Sequence, residues 1–334
     1  MQSRTLRAQG KVGTLCVQSD RSVFFVGGDG FVTRYANLEP THSAKHNSFF
    51  RSLQLNEAKG ILYLGDAHGQ IAIYESGTLE FTKMIMAHEM FVNCLLFLNS
   101  FDLMISGSDD FSIGIWKGEK MTRLSYLRSH SGGVKALVCS GDEQYFFSGS
   151  IDKTVIMWSS IDFSLLSKFA CEEMIFSLLM WPTQSHLLFG GQGTVFFYRI
   201  TGTKMVKKYK DLHDDWIRQM IFLPNTVAFV TGSNDSEVHL NWYSEEPLLS
   251  HESPVVGLGV VGENLLVSVS LDGLIVISEF DQEKAQRTWE DLGRAKFPEK
   301  NGKLLKARCE MKLNSDSVGE SRDSKPAKKS QLGI

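Results

Sequence analysis

An acid and an imidazole stand 22 positions apart in this chain, Asp152 and His130. Asp152 sits in "FFSGSIDKTVIMW" (Phe146–Trp158), just after a Ser-Gly-Ser tight spot. A His hydrogen-bonded to a carboxylate is half of many catalytic pairs. A second acidic cluster lies in "HDDWIRQ" (His213–Gln219), and its residue types would also suit a metal. Other motifs fail on inspection. "AHEMFVNC" (Ala87–Cys94) lacks the second His that a zinc-protease helix needs. "GGDG" (Gly27–Gly30) and "GGQG" (Gly190–Gly193) open no helix and are not followed by Lys-Ser/Thr, so they are not phosphate cradles. No nucleophile elbow and no cofactor fingerprint are visible, so no catalytic residue, cofactor or metal is assigned.

What Asp152 does depends on whether its surroundings are unique, and they are not. The string recurs as "LMISGSDDFSIGIW" (Leu103–Trp116), "ILYLGDAHGQIAIY" (Ile61–Tyr74) and "VFFVGGDGFVTRY" (Val23–Tyr35). Downstream come "LLFGGQGTVFFY" (Leu187–Tyr198), "AFVTGSNDSEVHLNW" (Ala228–Trp242) and "LLVSVSLDGLIVISEF" (Leu265–Phe280). Each is an apolar run, a turn of small residues and an alternating run, the pattern of two strands and their connection. The seven units repeat about every 40 residues.

A second signal precedes each turn: His, then a β-former four positions on, then an apolar residue three further. It reads His46-Phe50-Leu53, His88-Val92-Leu95, His130-Val134-Leu137, His213-Ile217-Met220 and His251-Val255-Leu258. Cys171-Ile175-Leu178 keeps the spacing with Cys in the His place, and the first unit has Ala8-Val12-Leu15. The distance from His to turn acid is 22 for His88 to Asp110, His130 to Asp152 and His213 to Asp235, and 21 for His251 to Asp272.

With two features keeping their separation, the chain resembles the WD40-repeat β-propeller family over residues 1–280. The resemblance implies an all-β fold: a single seven-bladed propeller of about four strands per blade, closed by an N-terminal strand for which "SRTLRAQ" (Ser3–Gln9) is the candidate. It departs from the family in having no Trp-Asp dipeptide after any third strand. The third-strand aromatics are Tyr35, Tyr74, Trp116, Trp158 and Tyr198, and by spacing Asn241 and Ser278 replace them in the last two units. A recurring His/Asp pair makes little sense as several active sites on one ring. The pairs His88/Asp110, His130/Asp152, His213/Asp235 and His251/Asp272 are therefore read as scaffold, each locking an inner-strand loop to a turn. Ser106 and Trp116, or Ser148 and Trp158, complete the hydrogen bonds.

In WD40 propellers the positions three and five after the His, and the residue before the turn acid, face the upper rim. Here the first set is Phe49, Phe91, Gly133, Trp216 and Pro254, and the second is Arg51, Asn93, Lys135, Arg218 and Val256. Lys11 holds the first position in unit one, and Asp109 and Ile151 precede turn acids. Aromatic residues and Arg dominate binding hot spots. Lys11, Phe49, Arg51, Phe91, Asn93, Asp109, Lys135, Ile151, Trp216 and Arg218 thus form the candidate partner-binding rim, suited to acidic or phosphorylated peptide segments.

Composition sets the outer bounds. The chain has 334 residues, 43% hydrophobic and 22% charged, enough for a substantial core. A net charge of −3 gives no global reason to expect nucleic acid. Five widely spaced cysteines without a Cys-x-x-Cys argue against a disulfide framework or zinc knuckle. No apolar run is long enough for a membrane span, and the first 20 residues lack the apolar core of a secretory signal. A cytoplasmic place is expected, with the nucleus open. The basic run "KMVKKYK" (Lys204–Lys210) falls where an outer strand belongs, and charges on an edge strand discourage stray pairing. Residues 281–334 carry 13 Lys/Arg against 9 Asp/Glu. They are expected to be a charged extension: "KAQRTWEDLGRAKF" (Lys284–Phe297) is compatible with one amphipathic helical piece, and the Ser-rich run after it with disorder.

Three function classes are weighed. The first is a non-catalytic protein–protein interaction scaffold, adaptor or complex subunit that binds partner segments on the rim. The second is a lipid-associated membrane-trafficking adaptor. "HSGGVKAL" with "FFSGSIDKTVIMW", and "LGDAHGQIAIY", look like stretches of WD-repeat proteins that carry a FYVE finger, but this chain has no such finger and no adjacent Arg-Arg pair, so lipid binding does not carry over. The third, a propeller enzyme, needs acids or metal ligands at the channel mouth that the sequence does not offer.

Overall fold

The computed structural model describes residues 3–280 except 202, 203, 225, 227 and 241–246. The extension 281–334, with its expected helical piece, and Asn241 lie outside these residues.

Strands alternate with tight turns throughout. The chain runs through β1 (Ser3–Arg7), β2 (Val12–Val17), β3 (Val23–Ala36), β4 (Glu39–Asn56), a 3-10 turn at Glu57–Lys59, β5 (Ile61–Asp66), β6 (Gln70–Glu75) and β7 (Phe81–Met86). Next come β8 (Val92–Leu98), β9 (Leu103–Ser108), β10 (Ile113–Lys117), β11 (Thr122–Leu127), β12 (Val134–Cys139), β13 (Tyr145–Ser150), β14 (Thr154–Ser159) and β15 (Leu165–Ala170). The last third holds β16 (Ser177–Met180), β17 (His186–Gly190), β18 (Val195–Arg199), β19 (Lys204–Tyr209), β20 (Ile217–Phe222), β21 (Phe229–Ser233), β22 (Glu237–Leu240), β23 (Leu249–Ser250), β24 (Val255–Val261), β25 (Leu265–Ser270) and β26 (Leu274–Glu279).

The pairing corrects the expected count of seven separate blades. The described strands make six antiparallel sheets: five of four strands and one of six, ordered β2-β3-β4-β5-β6-β7. The first two sequence units share β4, whose first part pairs with β3 and whose last part, from Phe50 on, pairs with β5. The physical reason is local. From Thr41 to Asn56 the chain has no Gly or Pro to break an extended run, so one 18-residue strand crosses from one unit into the next. The N-terminal segment enters the sheet of β24, β25 and β26 as its edge strand, pairing Ser3–Arg7 with Leu274–Ser278. The sheet that holds it is the sixth, not a seventh.

The six sheets turn seven inner strands toward the middle of the molecule, the six-stranded sheet supplying two of them. The inner strands β2, β4, β8, β12, β16, β20 and β24 touch in that order, and β2 touches β24, so the sheets form a ring. The core lies between neighbouring sheets. Phe147 and Val155 of one sheet pack with Phe189 and Phe196 of the next, all four with no exposed surface. Full burial of such a side chain is worth roughly 1.5–3 kcal/mol. The outer strands alternate less cleanly and leave Phe81, Met86, Leu165 and Leu166 largely exposed.

The Gly one residue before the end of β9, β13 and β21 has a packing reason. A Cβ on Gly107 would come within 2.6 Å of Val134, one on Gly149 within 2.6 Å of Ile175, and one on Gly232 within 2.7 Å of Val255. In each case the neighbour is the β-former four after the His or Cys of the following unit. That residue presses its branched side chain onto the bare backbone beside it, which is how adjacent sheets approach so closely.

Candidate functional site: the cavity framed by the inner strands

The scaffold pairs come first, because they hold the inner strands. His130 Nδ1 meets Asp152 Oδ2 at 2.9 Å, its Nε2 meets Ser148 Oγ at 2.7 Å, and Trp158 Nε1 donates to the same Ser148 oxygen at 2.9 Å. The backbone N–H of Ser131 also donates to Asp152, at 2.9 Å. The arrangement repeats one sheet earlier: His88 reaches Asp110 at 2.9 Å and Ser106 at 2.7 Å, and Trp116 donates to Ser106 at 2.8 Å. His213 reaches Asp235 at 2.8 Å and Thr231 at 2.7 Å. Both nitrogens of each ring are engaged, and the hydroxyls of Ser106, Ser148 and Thr231 beside them have no exposed surface, so a substrate cannot reach them in this fold.

Electrostatics agree with a locked network whose carboxylates are held ionised. Burial alone would raise the Asp235 carboxyl, but the hydrogen bond and charge of His213 overrule it and bring it down to about 2. Asp110 and Asp152 are lowered against the same burial, by bonds from His88 and Ser112 and from Thr154, Ser131 and His130. Burial pushes His130 the other way, below the ordinary His value, although Asp152 resists.

The expected fourth pair is not formed. His251 Nε2 meets Ser268 Oγ at 2.8 Å, but its buried Nδ1 has no hydrogen-bond partner among the described residues. Asp272 instead accepts from Ser270 Oγ at 2.6 Å and lies 4.0 Å from Arg7. Here the sequence separation is one residue shorter than in the three pairs that meet. The acid closes its own turn and faces the N-terminal strand.

His213, Glu237 and His239 bring candidate metal-ligand atoms within 4.8 Å of one another. These groups are hydrogen-bonded within the protein: His213 to Asp235 and Thr231, and His239 Nε2 to Glu237 at 2.8 Å. The group reads as a polar contact within its sheet.

The rim positions are built by a recurring irregularity. In β2, β4, β8, β12, β20 and β24 the register slips by one residue where the pairing with the next strand begins, at Val12/Thr14, Phe50/Ser52, Val92/Cys94, Val134/Ala136, Ile217/Gln219 and Val255/Gly257. The skipped residues are Gly13, Arg51, Asn93, Lys135, Arg218 and Val256. A bulge leaves one residue unpaired and re-aims its side chain. All six line one cavity of about 260 Å³, together with Phe49, Phe176 and Asn234.

The cavity wall is cationic and aromatic. The Arg51 guanidinium lies 4.7 Å from the Phe91 ring centre. The Arg218 guanidinium lies 5.4 Å from Phe176 and 5.6 Å from Trp216, and these two rings stack at 4.6 Å. Arg218 Nε donates to Asn234 Oδ1 at 2.7 Å. Burial first, and the like charge of Arg51 second, lower the pKa of Arg218, with Asp215 opposing. Lys135 is already neutralised by Asp109, which also accepts from Asn93 at 2.9 Å.

The other candidates fall outside this wall. Lys11 is exposed, and neither it nor the half-buried Ile151 lines the cavity. Phe91 and Trp216 stand behind the arginines as platforms. Phe176 and Asn234 were absent from the sequence-derived set. The signal for both was present: Phe176 is five after Cys171, and Asn234 precedes Asp235 as Asp109 precedes Asp110.

Comparisons with known proteins agree with this geometry. The family described as "WD domain, G-beta repeat" matches residues 79–117 and 121–159. WD repeat-containing protein 1 of Mus musculus is 30% identical over 128 residues, 37% of this chain and 21% of that protein. The match to the CCR4-associated factor 4 homolog of Candida glabrata is 24% identical over 178 residues, 48% of this chain and 30% of that protein. The matched segments thus span less than a third of these relatives. The WD40 β-propeller domain of Doa1 superimposes with a TM-score of 0.72 at 18% identity, covering 84% of this chain and 97% of that domain. With its repeated His–Ser–Trp networks, its ring of antiparallel sheets and these matches, the chain carries WD40 repeats over residues 79–117 and 121–159 and has the fold of a WD40 β-propeller.

Proposed function

We propose that this chain is a non-catalytic interaction scaffold that receives a segment of a partner protein at the cavity framed by its inner strands. WD40 propellers generally act as protein-interaction scaffolds and are typically non-catalytic, while a fold alone does not choose the partner. The observation that carries the reading is the set of bulges. Six strands each give up a ladder pairing at the same place, and each skipped residue lines one cavity. Two arginines there rest on aromatic rings, a residue set enriched at binding hot spots. The cavity is smaller than the roughly 300–1,000 Å³ of pockets for drug-sized ligands, which suits one inserted side chain better than a cofactor.

The test compares partners recovered by the wild-type chain and by a Phe91→Ala/Trp216→Ala/Arg218→Glu variant, using affinity capture and mass spectrometry. The reading expects specific partners lost by the variant while circular dichroism stays unchanged. An identical partner set for both proteins defeats it.

A further inference from the structure

Arg51 and Arg218 come from strands β4 and β20, far apart in sequence, and line the same cavity. No carboxylate lines that cavity. Among the described residues neither arginine has an ion-pair partner, and the one hydrogen bond that Arg218 makes is to the neutral Asn234. Lys135, the third cation of the cavity, is paired with Asp109, and elsewhere in the molecule Lys59 is paired with Asp102 and Lys208 with Glu172. Asp215 attracts Arg218 without forming an ion pair with it, so the repulsion between the two guanidiniums is only partly offset in the empty protein. It is relieved when an anion enters.

We infer that the Arg51–Arg218 cleft is a receptor for a phosphomonoester carried on a serine or threonine of the partner segment. This rests on the scaffold reading above and names the chemistry that the cavity selects. The charge argument favours phosphate over a single carboxylate. A phosphorylated side chain carries roughly −1.5 to −2 at neutral pH, which suits two arginines that have no ion-pair partner among the described residues. Guanidinium forks hold phosphate oxygens by paired N–H donors. Phe91 lies against one guanidinium and Phe176 with Trp216 against the other, so little side-chain freedom remains to be lost on binding. The amides of Asn93 and Asn234 stand beside the cleft as further polar groups.

The probe is a fluorescent peptide pool with degenerate flanks and a fixed central phosphoserine. Matched pools carry serine or glutamate, and inorganic phosphate serves as a competitor. Binding to the full chain is read by fluorescence polarisation. The phosphoserine pool is expected to bind on the order of tenfold tighter than the serine and glutamate pools, and Arg51→Gln and Arg218→Gln are each expected to weaken it about tenfold without moving the melting temperature. Equal binding of the phosphoserine pool and its phosphatase-treated counterpart by the wild-type chain overturns the proposal, and this comparison needs no variant to fold. Equal or tighter binding of the glutamate pool overturns it in favour of a plain acidic segment. Inorganic phosphate binding as tightly as the peptide overturns the segment and leaves a free-anion site. If phosphorylation makes no difference but the Phe91/Trp216/Arg218 variant still loses its partners, the phosphate inference falls and the scaffold reading stands.

Discussion

His251 and Asp272 share no hydrogen bond, whereas His130 and Asp152 meet at 2.9 Å in the corresponding places. One residue of spacing separates the two cases. The difference makes the stabilising role of the pairs measurable within one molecule. Asp152→Ala removes an acceptor from His130, Thr154 and two backbone N–H groups. Hydrogen bonds to a charged group contribute about 1.5–3 kcal/mol. Asp152→Ala is expected to cost at least that much, and Asp272→Ala under about 1 kcal/mol, since it loses only turn bonds and a surface ion pair. Urea unfolding of both variants checks this. Equal losses would show that the His contact is not what matters.

Gly149 sits in "SGS" where a Cβ would approach the Ile175 side chain at 2.6 Å. Gly149→Ala should overpack the contact between two neighbouring sheets and cost about 1–3 kcal/mol. Gly262, beside which a Cβ meets nothing within 4 Å, has a positive φ and so isolates the backbone effect of losing a glycine from the packing effect. Gly149→Ala should cost less in an Ile175→Ala background, because that substitution removes the γ-methyl the new Cβ would meet. The same cost in both backgrounds would place the damage elsewhere.

Acid should weaken the protein in two windows. Burial lowers the pKa of His130 and of His251 in the folded state. The unfolded chain then takes up protons first as pH falls below about 6.5, so stability declines from there downward. The Asp235 carboxyl titrates near 2 in the folded state, with burial opposing and His213 prevailing. Its contribution is complete above the unfolded value of about 3.9 and disappears as pH falls toward 2. The urea midpoint measured from pH 7.5 to 5 should fall in wild type and fall less in His251→Gln. The same slope in both proteins would remove His251 as a source.

Burial raises the Cys16 thiol to about 11 and the Cys94 thiol to about 12. At pH 8 roughly one molecule in a thousand or fewer would carry the reactive thiolate at either site. Iodoacetamide followed by peptide mass spectrometry should leave both unmodified in the native protein and modify both in urea. Rapid native labelling of Cys94 would mean that β8 opens far more readily than its packing indicates.

Local chemistry made the strands and networks legible from sequence. The period of about 40 residues, the small-residue turns and the 22-residue His-to-acid spacing are set by covalent reach and turn geometry, and these act over short stretches. His88, His130 and His213 meet their acids where that spacing places them. The failure at His251 was also written locally, as a missing residue, but its consequence was not: Asp272 turned to Ser270 and Arg7, and Arg7 belongs to the opposite end of the chain.

The number of sheets and the membership of the site were decided only in three dimensions. Whether β4 serves one unit or two depends on the partners on both its edges, which a repeat pattern cannot register. Arg51 and Arg218 are far apart in sequence, and nothing along the chain couples them. Closing the inner strands into a ring sets both on one cavity, and the bulges aim them inward. The sequence by itself determined which residues each strand would offer at its mouth. The tertiary structure decided which of them face one another, because that depends on long-range packing between sheets rather than on the spacing within any of them.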